Sequence, residues 1–263
     1  MRYAIGIEYD GSGFCGWQRQ DHSPSVQSCV EQALDKVANH PVTVICAGRT
    51  DTGVHARCQV AHFDSAASRT LRQWVLGINS NLPESVRVLW IRNVDESFHA
   101  RFSALSRSYQ YRIMNRWVRP ASGVSHYAWC RQELDAKKMH EASQCLLGTH
   151  DFSAFRSAGC SSQHAIRELT GIEVRRRDDL VIMDVTANAF LYHMVRNIMG
   201  SLIEVGRGEQ PVGWVKQVLD KGDRKLAGVT ADAQGLYFMN VRYDPKYGLP
   251  LVPESFPFAG ARV

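Results

Sequence analysis

The sequence carries, between two short apolar runs, the stretch Ala47-Gly48-Arg49-Thr50-Asp51-Thr52-Gly53-Val54-His55-Ala56. The first run is Val42–Cys46 and the second is Gln59–Phe63. Short runs of β-branched and apolar residues bounded by glycine predict strands. The stretch is therefore expected to be a loop between two strands, a common position for catalytic residues. Its single acid, Asp51, is a candidate nucleophile or base, with a cation two residues away in Arg49.

The same pattern has two other interpretations. Glycine and aspartate between strands are typical of a plain turn, in which the Asp side chain binds nearby backbone and glycine supplies a positive φ. The triplet Asp51-Thr52-Gly53 is also found in aspartic proteases, which need two carboxylates sharing one proton. A single copy would have to dimerise around this loop, and Gly48-Arg49-Thr50 replaces the expected apolar strand. The short pattern alone leaves a structural turn and a catalytic loop open.

Composition predicts a folded, metal-free protein of the cytoplasm with no membrane partner. The 263 residues are 44% hydrophobic, enough for one large domain or two of moderate size. No run of about 18 apolar residues is present, and Met1–Ile7 lacks the apolar core of a signal peptide. The seven cysteines are scattered without a Cys-x-x-Cys pair, which favours free thiols in a reducing compartment. Cys58 and His62 could touch on one strand face, but two ligands do not make a metal site.

Basic residues point to RNA as a partner. The chain has 24 Arg against 7 Lys and a net charge of +5. Arginine suits phosphates and base edges better than lysine, although a GC-rich genome also raises its frequency. Arginines and aromatic residues are interleaved in one region, as expected of a surface that meets unpaired RNA bases. They are Arg101, Arg107, Arg112, Arg116, Arg119 and Arg131, with Phe102, Tyr109, Tyr111, Trp117, Tyr127 and Trp129. Some of these aromatics must belong to the core.

The first half of the chain is predicted to have the order β-α-β-β-α-β. Alternation around Ile5 gives a first strand, and helical spacing from Ser25 gives an amphipathic helix. The two strands beside Asp51 follow, then a helix from Leu71 and a strand at Val86–Val94. The glycine-rich segment 12–20 carries Phe14 and Trp17, which are expected to be exposed to a ligand or partner.

The second half repeats this order with insertions. Alternation at Tyr109, Tyr111 and Ile113 gives a strand, and the further elements follow from their periodicity and turns. They are a helix from Asp135 to Leu147 ending at Gly148, strands at Ile166–Arg175 and Leu180–Ala187, helices at Tyr192–Val205 and from Pro211, and a strand at Leu236–Val241.

These two patterns predict an α+β fold of two ferredoxin-like halves. Their strands should form a mixed, mostly antiparallel central sheet flanked by helices. The expected boundaries are residues 1–105, 106–243 and a Pro-rich tail at 244–263, which holds four of the nine prolines.

Arg196 has two possible roles. It lies at the flank of the apolar stripe of its predicted helix, whereas His193 is expected to point to solvent. An arginine there is usually a surface residue that lies over apolar neighbours. The alternative is an ion-pair partner for a half-buried acid, and spacing does not choose between them.

Several segments, in order, resemble the tRNA pseudouridine synthase A family. The similarity extends from Met1 to about Tyr243, with no departure at a position that the family uses for chemistry. The segments that carry it are Tyr9–Gly11, Gly13–Gln18, Gly48–Ala56, Phe98–Ala104, Arg107–Tyr111, His150–Phe152 and Phe190–Ile198.

The resemblance implies a role for four residues. Asp51 would be the catalytic carboxylate, Arg196 the cation paired with it, and Tyr109 the aromatic ring against the target base. Arg49 would help to displace the uridine from its stack or hold its phosphate. The family also implies a homodimer with a mixed α/β fold and no cofactor.

The implied activity is the isomerisation of uridine to pseudouridine at positions 38, 39 and 40 of the tRNA anticodon stem-loop. Asp51 could act by covalent attachment or as a base. The alternative is an RNA-binding module of the same fold without turnover, but the joint presence of Asp51, Tyr109 and Arg196 favours the enzyme.

Overall fold

The computed structural model describes residues 1–250, which form ten strands and five α-helices. The strands are β1 (Arg2–Tyr9), β2 (Ile45–Cys46), β3 (His55–Asp64), β4 (Val86–Val94), β5 (Ala104–Asn115), β6 (Ala128–Cys130), β7 (Gly148–Asp151), β8 (Ile166–Arg177), β9 (Leu180–Ala187) and β10 (Leu236–Tyr243). The helices are α1 (Val26–Ala38), α2 (Leu71–Asn81), α3 (Ala136–Ser143), α4 (Met194–Gly206) and α5 (Trp214–Lys221). Within this range no helix combines the length and apolar character needed to cross a membrane.

All ten strands of the described chain belong to one sheet, with the order β4-β1-β3-β10-β5-β9-β8-β7. Strand β2 pairs with β3, and β6 pairs with β5. Only the β10–β3 and β5–β6 pairings are parallel within residues 1–250. The prediction of an α+β fold with a mixed, mostly antiparallel sheet flanked by helices is confirmed.

The strand order occurs twice. In the first half it is β4-β1-β3-β2, and in the second it is β10-β5-β9-β8, the order of a ferredoxin-like unit in each case. The units join where β10 runs parallel to β3, with Tyr237 opposite His55 and Phe238 opposite Ala56. This junction immediately follows the loop that carries Asp51, so it brings second-half residues close to that loop.

Two apolar cores support the sheet, and each includes residues from the other half. The first-half core contains Trp17, Phe63 and Trp74, together with Phe238 of β10. The second-half core contains Phe152, Phe155 and Met199 among others, together with Val54 of the Asp51 loop. Because apolar burial supplies most of the stabilisation in a folded protein, these exchanges fix the two halves against each other.

The strand predicted at Val42–Cys46 is shorter than expected. Only Ile45 and Cys46 pair with β3. The amide of Val42 donates to the Asp35 carboxylate at 2.6 Å, and the amide of Val44 donates to Glu31 at 3.1 Å. Side chains of α1 thus satisfy backbone groups that a longer strand would have paired.

Three predicted helix boundaries also differ from the structure. The helix expected at Asp135–Leu147 has Asp135 as its N-cap, but its α-helical part ends at Ser143 and a short 3-10 helix follows. The helix expected from Pro211 begins at Trp214, after a turn in which Trp214 N donates to Pro211 O. The helix expected at Tyr192–Val205 begins at Met194, because His193 has a left-handed backbone with φ 60°.

The glycine-rich segment after β1 is also different from the prediction. Phe14 and Trp17 are buried, and the indole of Trp17 packs against Tyr9 at a ring-centroid distance of 6.0 Å. The predicted tail begins with a short 3-10 helix at Pro245–Tyr247, and residues 251–263 lie outside the described part of the chain.

Candidate active site

The loop between β2 and β3 is a turn whose carboxylate points away from it. Val54 N donates to Asp51 O at 3.1 Å, and Gly53 has a φ of 78°, which glycine adopts readily. The Asp51 side chain, however, has its contacts with Arg196 and His193 and, within residues 1–250, with no amide of its own turn. The turn interpretation thus describes the backbone of the loop, and the carboxylate remains available for chemistry.

Residues of the glycine-rich segment hold the loop in place. Trp17 N donates to Thr50 O at 3.0 Å, and the Thr50 hydroxyl lies 2.8 Å from the Tyr9 hydroxyl. A Cβ atom at Gly16 would lie 2.6 Å from Thr50 O, so only glycine permits this close approach. Thr50, the residue before Asp51, is thereby fixed on both its backbone and its side chain.

Arg196, near the start of α4, forms an ion pair with Asp51. Its Nη1 atom lies 3.1 Å from Asp51 Oδ2, and its Nε donates to Ala231 O at 2.8 Å. The side chains of Arg196 and Asp51 are 15% and 25% exposed. Of the two roles left open by the sequence, the structure places Arg196 in the ion pair and not on the surface. The carbonyl of Ala231 orients the guanidinium toward the acid.

His193 is a site residue that the sequence pattern misplaced. Instead of pointing to solvent, its Nε2 lies 3.3 Å from Asp51 Oδ2, and its Nδ1 lies 3.1 Å from the Ser157 hydroxyl. Its left-handed backbone is uncommon for a residue other than glycine, and such strain is often found at functional sites. Burial lowers the pKa of His193, which Asp51 opposes and Arg196 reinforces. His193 is therefore mainly neutral near pH 7. Its place in the site could not be predicted, because no pattern in the sequence signals its left-handed backbone.

Tyr109 of β5 lies between two aromatic rings beside the loop. Phe190 and Phe238 both contact it edge to face, each with ring centroids 4.9 Å apart. Its hydroxyl would lie 3.7 Å from a Cβ placed on Gly48, and it has no hydrogen bond within residues 1–250. Burial raises the pKa of Tyr109 well above its usual range, with Tyr9 and Asp51 adding to the effect. The phenol therefore remains protonated at neutral pH.

One cleft of about 1010 Å³ contains all four predicted site residues and His193. Arg49 is exposed in this cleft, and its guanidinium has no ion-pair partner in the part of the chain that the structure describes. Further cations reach the same cleft from both halves, namely Arg101, Arg107 and Arg167. A half-buried carboxylate within a cationic cleft can attack or deprotonate a substrate that carries phosphate groups.

A family model described as "tRNA pseudouridine synthase" matches residues 5–103 and 142–244. The chain belongs to this family. A "tRNA pseudouridine synthase A" of Vibrio campbellii is 54% identical over 256 residues, covering 96% of each chain. One from Xylella fastidiosa is 54% identical over 252 residues, covering 95% of this chain and 98% of the relative. The solved "Crystal Structure of a Cbf5-Nop10-Gar1 Complex" overlaps at a TM-score of 0.36 with 12% identity, over 90% of this chain and 48% of that one.

Membership of the tRNA pseudouridine synthase family confirms the predicted family and the prediction of an enzyme. The interleaved arginines and aromatics of this synthase are divided between the surface and the core. Tyr111 is buried, whereas Phe102 and Trp117 are exposed. Arg112 is buried as well, with its guanidinium 4.0 Å from the ring centroid of Tyr237. Only part of the cluster can therefore meet RNA.

A second group of ionisable residues in the synthase lies outside the cleft. Asp10, His55 and His126 have ligand atoms within 4.8 Å of one another, a spacing that a metal ion could use. Both ring nitrogens of buried His55 already have backbone partners, however. Nε2 lies 2.8 Å from Ser125 O, and Nδ1 accepts from Gly11 N at 3.1 Å. A metal would have to replace the second bond, so His55 fits a structural histidine better than a ligand.

Proposed function

We propose that this protein converts uridine to pseudouridine at positions 38, 39 and 40 of the tRNA anticodon stem-loop. The observation that carries the proposal is the Asp51 carboxylate, held at 3.1 Å from Arg196 in a cleft lined by cations. Relatives named tRNA pseudouridine synthase A support the reaction and its RNA substrate, with 54% identity over nearly the whole chain. The three tRNA positions follow from the family resemblance of the quoted sequence segments.

The reaction needs one well-placed carboxylate more than any other group. The bond from ribose C1′ to uracil N1 breaks, the base turns, and C5 joins the same sugar carbon. C5 loses its proton and N1 gains one. Product and substrate have the same atoms, so the reaction consumes neither a redox equivalent nor a group donor. Asp51 can attach covalently to the sugar or remove a proton from it. Both routes require the carboxylate in its charged form.

Arg196 and His193 have distinct effects on that carboxylate. The guanidinium of Arg196 brings a positive charge to Oδ2 of Asp51 within a partly desolvated cleft, where charge interactions are stronger than in water. His193 approaches the same oxygen as a neutral ring. We propose that Arg196 is the ion-pair partner and that His193 limits the directions open to the carboxylate, leaving Oδ1 to the substrate.

Tyr109 and Arg49 are proposed to hold the displaced uridine. Removing a base from its stack costs a few kcal/mol. Stacking on the ring of Tyr109 offsets about 1–3 kcal/mol of that cost. Phe190 and Phe238 pack against the ring at steep angles and restrict its motion, so little side-chain entropy is lost when a base stacks on it. Arg49 at the cleft surface can bind the phosphate or occupy the space left by the base.

We further propose a homodimer acting in the cytoplasm, with one tRNA contacting both subunits. A stem-loop with the body of its tRNA is larger than one cleft, and two-fold pairing is the commonest assembly for such chains. We also propose residues 1–105 and 106–243 as two domains with the catalytic loop in the first. The repeated strand order and the two apolar cores support that division.

The test uses purified protein and unmodified tRNA transcripts. One transcript has uridine at positions 38, 39 and 40, and a matched transcript has cytidine at all three. We expect pseudouridine at those positions in the first transcript and none in the second, as mapped by chemical derivatisation and primer extension. Tight binding of the first transcript without any product would contradict the proposed function.

A further inference from the structure

A fixed loop displays an aromatic ring at the edge of the cleft. This rim loop, residues 99–103, is the second part of the connection from β4 to β5, and its Phe102 is 77% exposed. One side of the Phe102 ring is backed by His99, with ring centroids 4.3 Å apart and planes inclined by 31°. The guanidinium of Arg101 lies 5.6 Å from the same ring, near the outer limit of a cation–π contact. A large apolar ring is thus supported from within the protein and open to solvent.

The backbone of the rim loop is held at almost every residue. The amides of Arg101 and Phe102 both donate to His99 Nδ1 at 3.2 Å, and Ser103 N donates to His99 O at 2.8 Å. Ala100 is bound on both sides, since its amide donates to His62 at 3.1 Å and its carbonyl accepts from Tyr243 at 2.7 Å. Ordering a residue costs about 1–2 kcal/mol. These bonds hold the backbone that carries Phe102 in one conformation.

Arg107 connects the rim loop to the loop that carries Asp51. Its Nη2 atom donates to Arg101 O at 2.5 Å and to Ala47 O at 3.3 Å. Both Arg101 and Arg107 line the cleft with Asp51. Residues 97–107 include these two arginines and no acid. Phe102 therefore follows directly on a residue that lines the cationic cleft, in a loop that Arg107 ties to the Asp51 loop.

We propose that Phe102 is a stacking platform for an unpaired anticodon-loop base next to the target uridine, with Arg101 on an adjacent phosphate. This inference rests on the proposed function and adds a residue that positions the RNA. The chemistry favours RNA over an apolar protein surface, because an exposed aromatic ring beside an arginine matches stacked bases joined by phosphates. A preorganised ring also limits the entropy lost on binding.

The test is the binding of unmodified tRNA at several salt concentrations, with each variant first checked for folding by circular dichroism. We expect Phe102→Ala to weaken binding about 5- to 150-fold, the range for stacking one base. The salt dependence should not change, because a ring releases no counterions. Phe102→Tyr keeps the ring and should restore binding. Arg101→Ala should instead reduce the slope of log affinity against log salt by about one.

Leu105→Ala is the matched control, because Leu105 is also apolar and 55% exposed, two residues beyond the rim loop. It should bind tRNA like the wild type. The inference is overturned if Phe102→Ala binds normally, if Phe102→Tyr fails to restore affinity, or if Phe102→Ala changes the salt slope. It is also overturned if light scattering shows that Phe102→Ala converts a dimer to a monomer, since the ring would then belong to a protein interface. Absence of pseudouridine from the wild type contradicts the proposed function alone, because binding is measured separately.

Discussion

The same position in the two halves of the sheet carries two different connections. In the first half, β2 and β3 are joined by residues 47–54, which include Asp51. In the second half, β8 and β9 are joined by only Asp178 and Asp179, the former with a φ of 51°. Both connections contain acids between antiparallel strands, and the longer one lines the cleft. The repeated strand order therefore determines where each connection lies in the sheet. The additional residues of the longer connection, and the contacts that hold them, form the candidate site.

The surroundings of the acids differ as much as the lengths of the connections. Asp51 is 25% exposed and 3.1 Å from Arg196. Asp179 is 60% exposed and 3.9 Å from Arg116. A pair of the second kind contributes about 0–1 kcal/mol, because water screens it. The two acids thus occupy equivalent places in the topology but differ in burial and in the distance to a cation, and we propose that this difference makes Asp51 the reactive one.

The largest expected effect separates the two acids. Asp51→Asn preserves shape but removes the charge, so neither a nucleophile nor a base remains. Single-turnover formation of pseudouridine should fall by about 10⁴-fold or more. The matched change Asp179→Asn should leave the rate within about twofold of the wild type, because it removes only a surface charge. Similar losses in both variants would remove the distinction between the two connections.

A smaller effect on turnover is expected from Tyr109, which the second half contributes to the cleft. Tyr109→Phe keeps the ring between Phe190 and Phe238 and removes only the hydroxyl. If the hydroxyl takes part in removing the C5 proton, turnover should fall by about 10²- to 10⁴-fold. Affinity for tRNA should stay near that of the wild type. Normal turnover would restrict Tyr109 to stacking.

The packing of Gly11 against the backbone of the Asp51 loop can be tested by measuring the free energy of unfolding. A Cβ at Gly11 would lie 1.9 Å from Val54 O, whereas a Cβ at Gly13 would meet no atom within 4 Å. Gly11→Ala should lower the free energy of unfolding by about 3 kcal/mol and reduce turnover, because the backbone after Asp51 must move. Gly13→Ala should change the unfolding free energy by less than about 0.5 kcal/mol. Urea denaturation of the two variants checks this, and equal stabilities would contradict it.

The smallest expected effect is a pH dependence of the stability, caused by His62 in the first half. Burial, helped by His99 and Arg2, lowers the pKa of His62 to about 4. In the unfolded chain the ordinary value near 6.5 applies, so the unfolded state binds more protons between these two pH values. Stability should therefore fall as pH decreases from about 6.5 to about 4, with a His62 contribution of about 2 kcal/mol at pH 5.

The matched variant for this effect is His62→Asn, whose side-chain oxygen can still accept from Ala100 N, as His62 Nδ1 does. Its own stability at neutral pH should be lower, because packing around the ring is lost. The decline between pH 7 and pH 5 should be shallower by about 2 kcal/mol, measured by urea unfolding at each pH. An unchanged decline would show that His62 is not the group responsible.

Periodicity and turn residues were enough to predict most of the fold. The predicted ends of the elements were wrong where a contact with residues distant in sequence determined the local structure. Glu31 and Asp35 bind the amides of Val44 and Val42, and no alternation pattern reports that. The burial of Trp17 likewise depends on the return of the chain at Thr50.

The candidate site residues were inferred from the family's motifs more than from physical reasoning. Asp51 and Arg196 are 145 residues apart, and the family resemblance, not their spacing, suggested the pair. His193 was not predicted as a site residue, because a helix that included it would have directed its ring to solvent. Its φ of 60° instead directs the ring toward Asp51. A left-handed residue is usually predicted from a glycine, and position 193 is not a glycine.

The central claim is that Asp51 from the first half and Arg196 from the second act as one unit. It is tested most directly by a double-mutant cycle of Asp51→Asn and Arg196→Met, with single-turnover product formation and tRNA binding measured in parallel. Arg196→Met should be nearly as inactive as Asp51→Asn and less stable than the wild type, because it leaves a partly buried carboxylate unpaired. The double variant should be no less active than Asp51→Asn alone, with tRNA binding retained in all three. Full activity in Arg196→Met, or losses that multiply in the double variant, would contradict the claim.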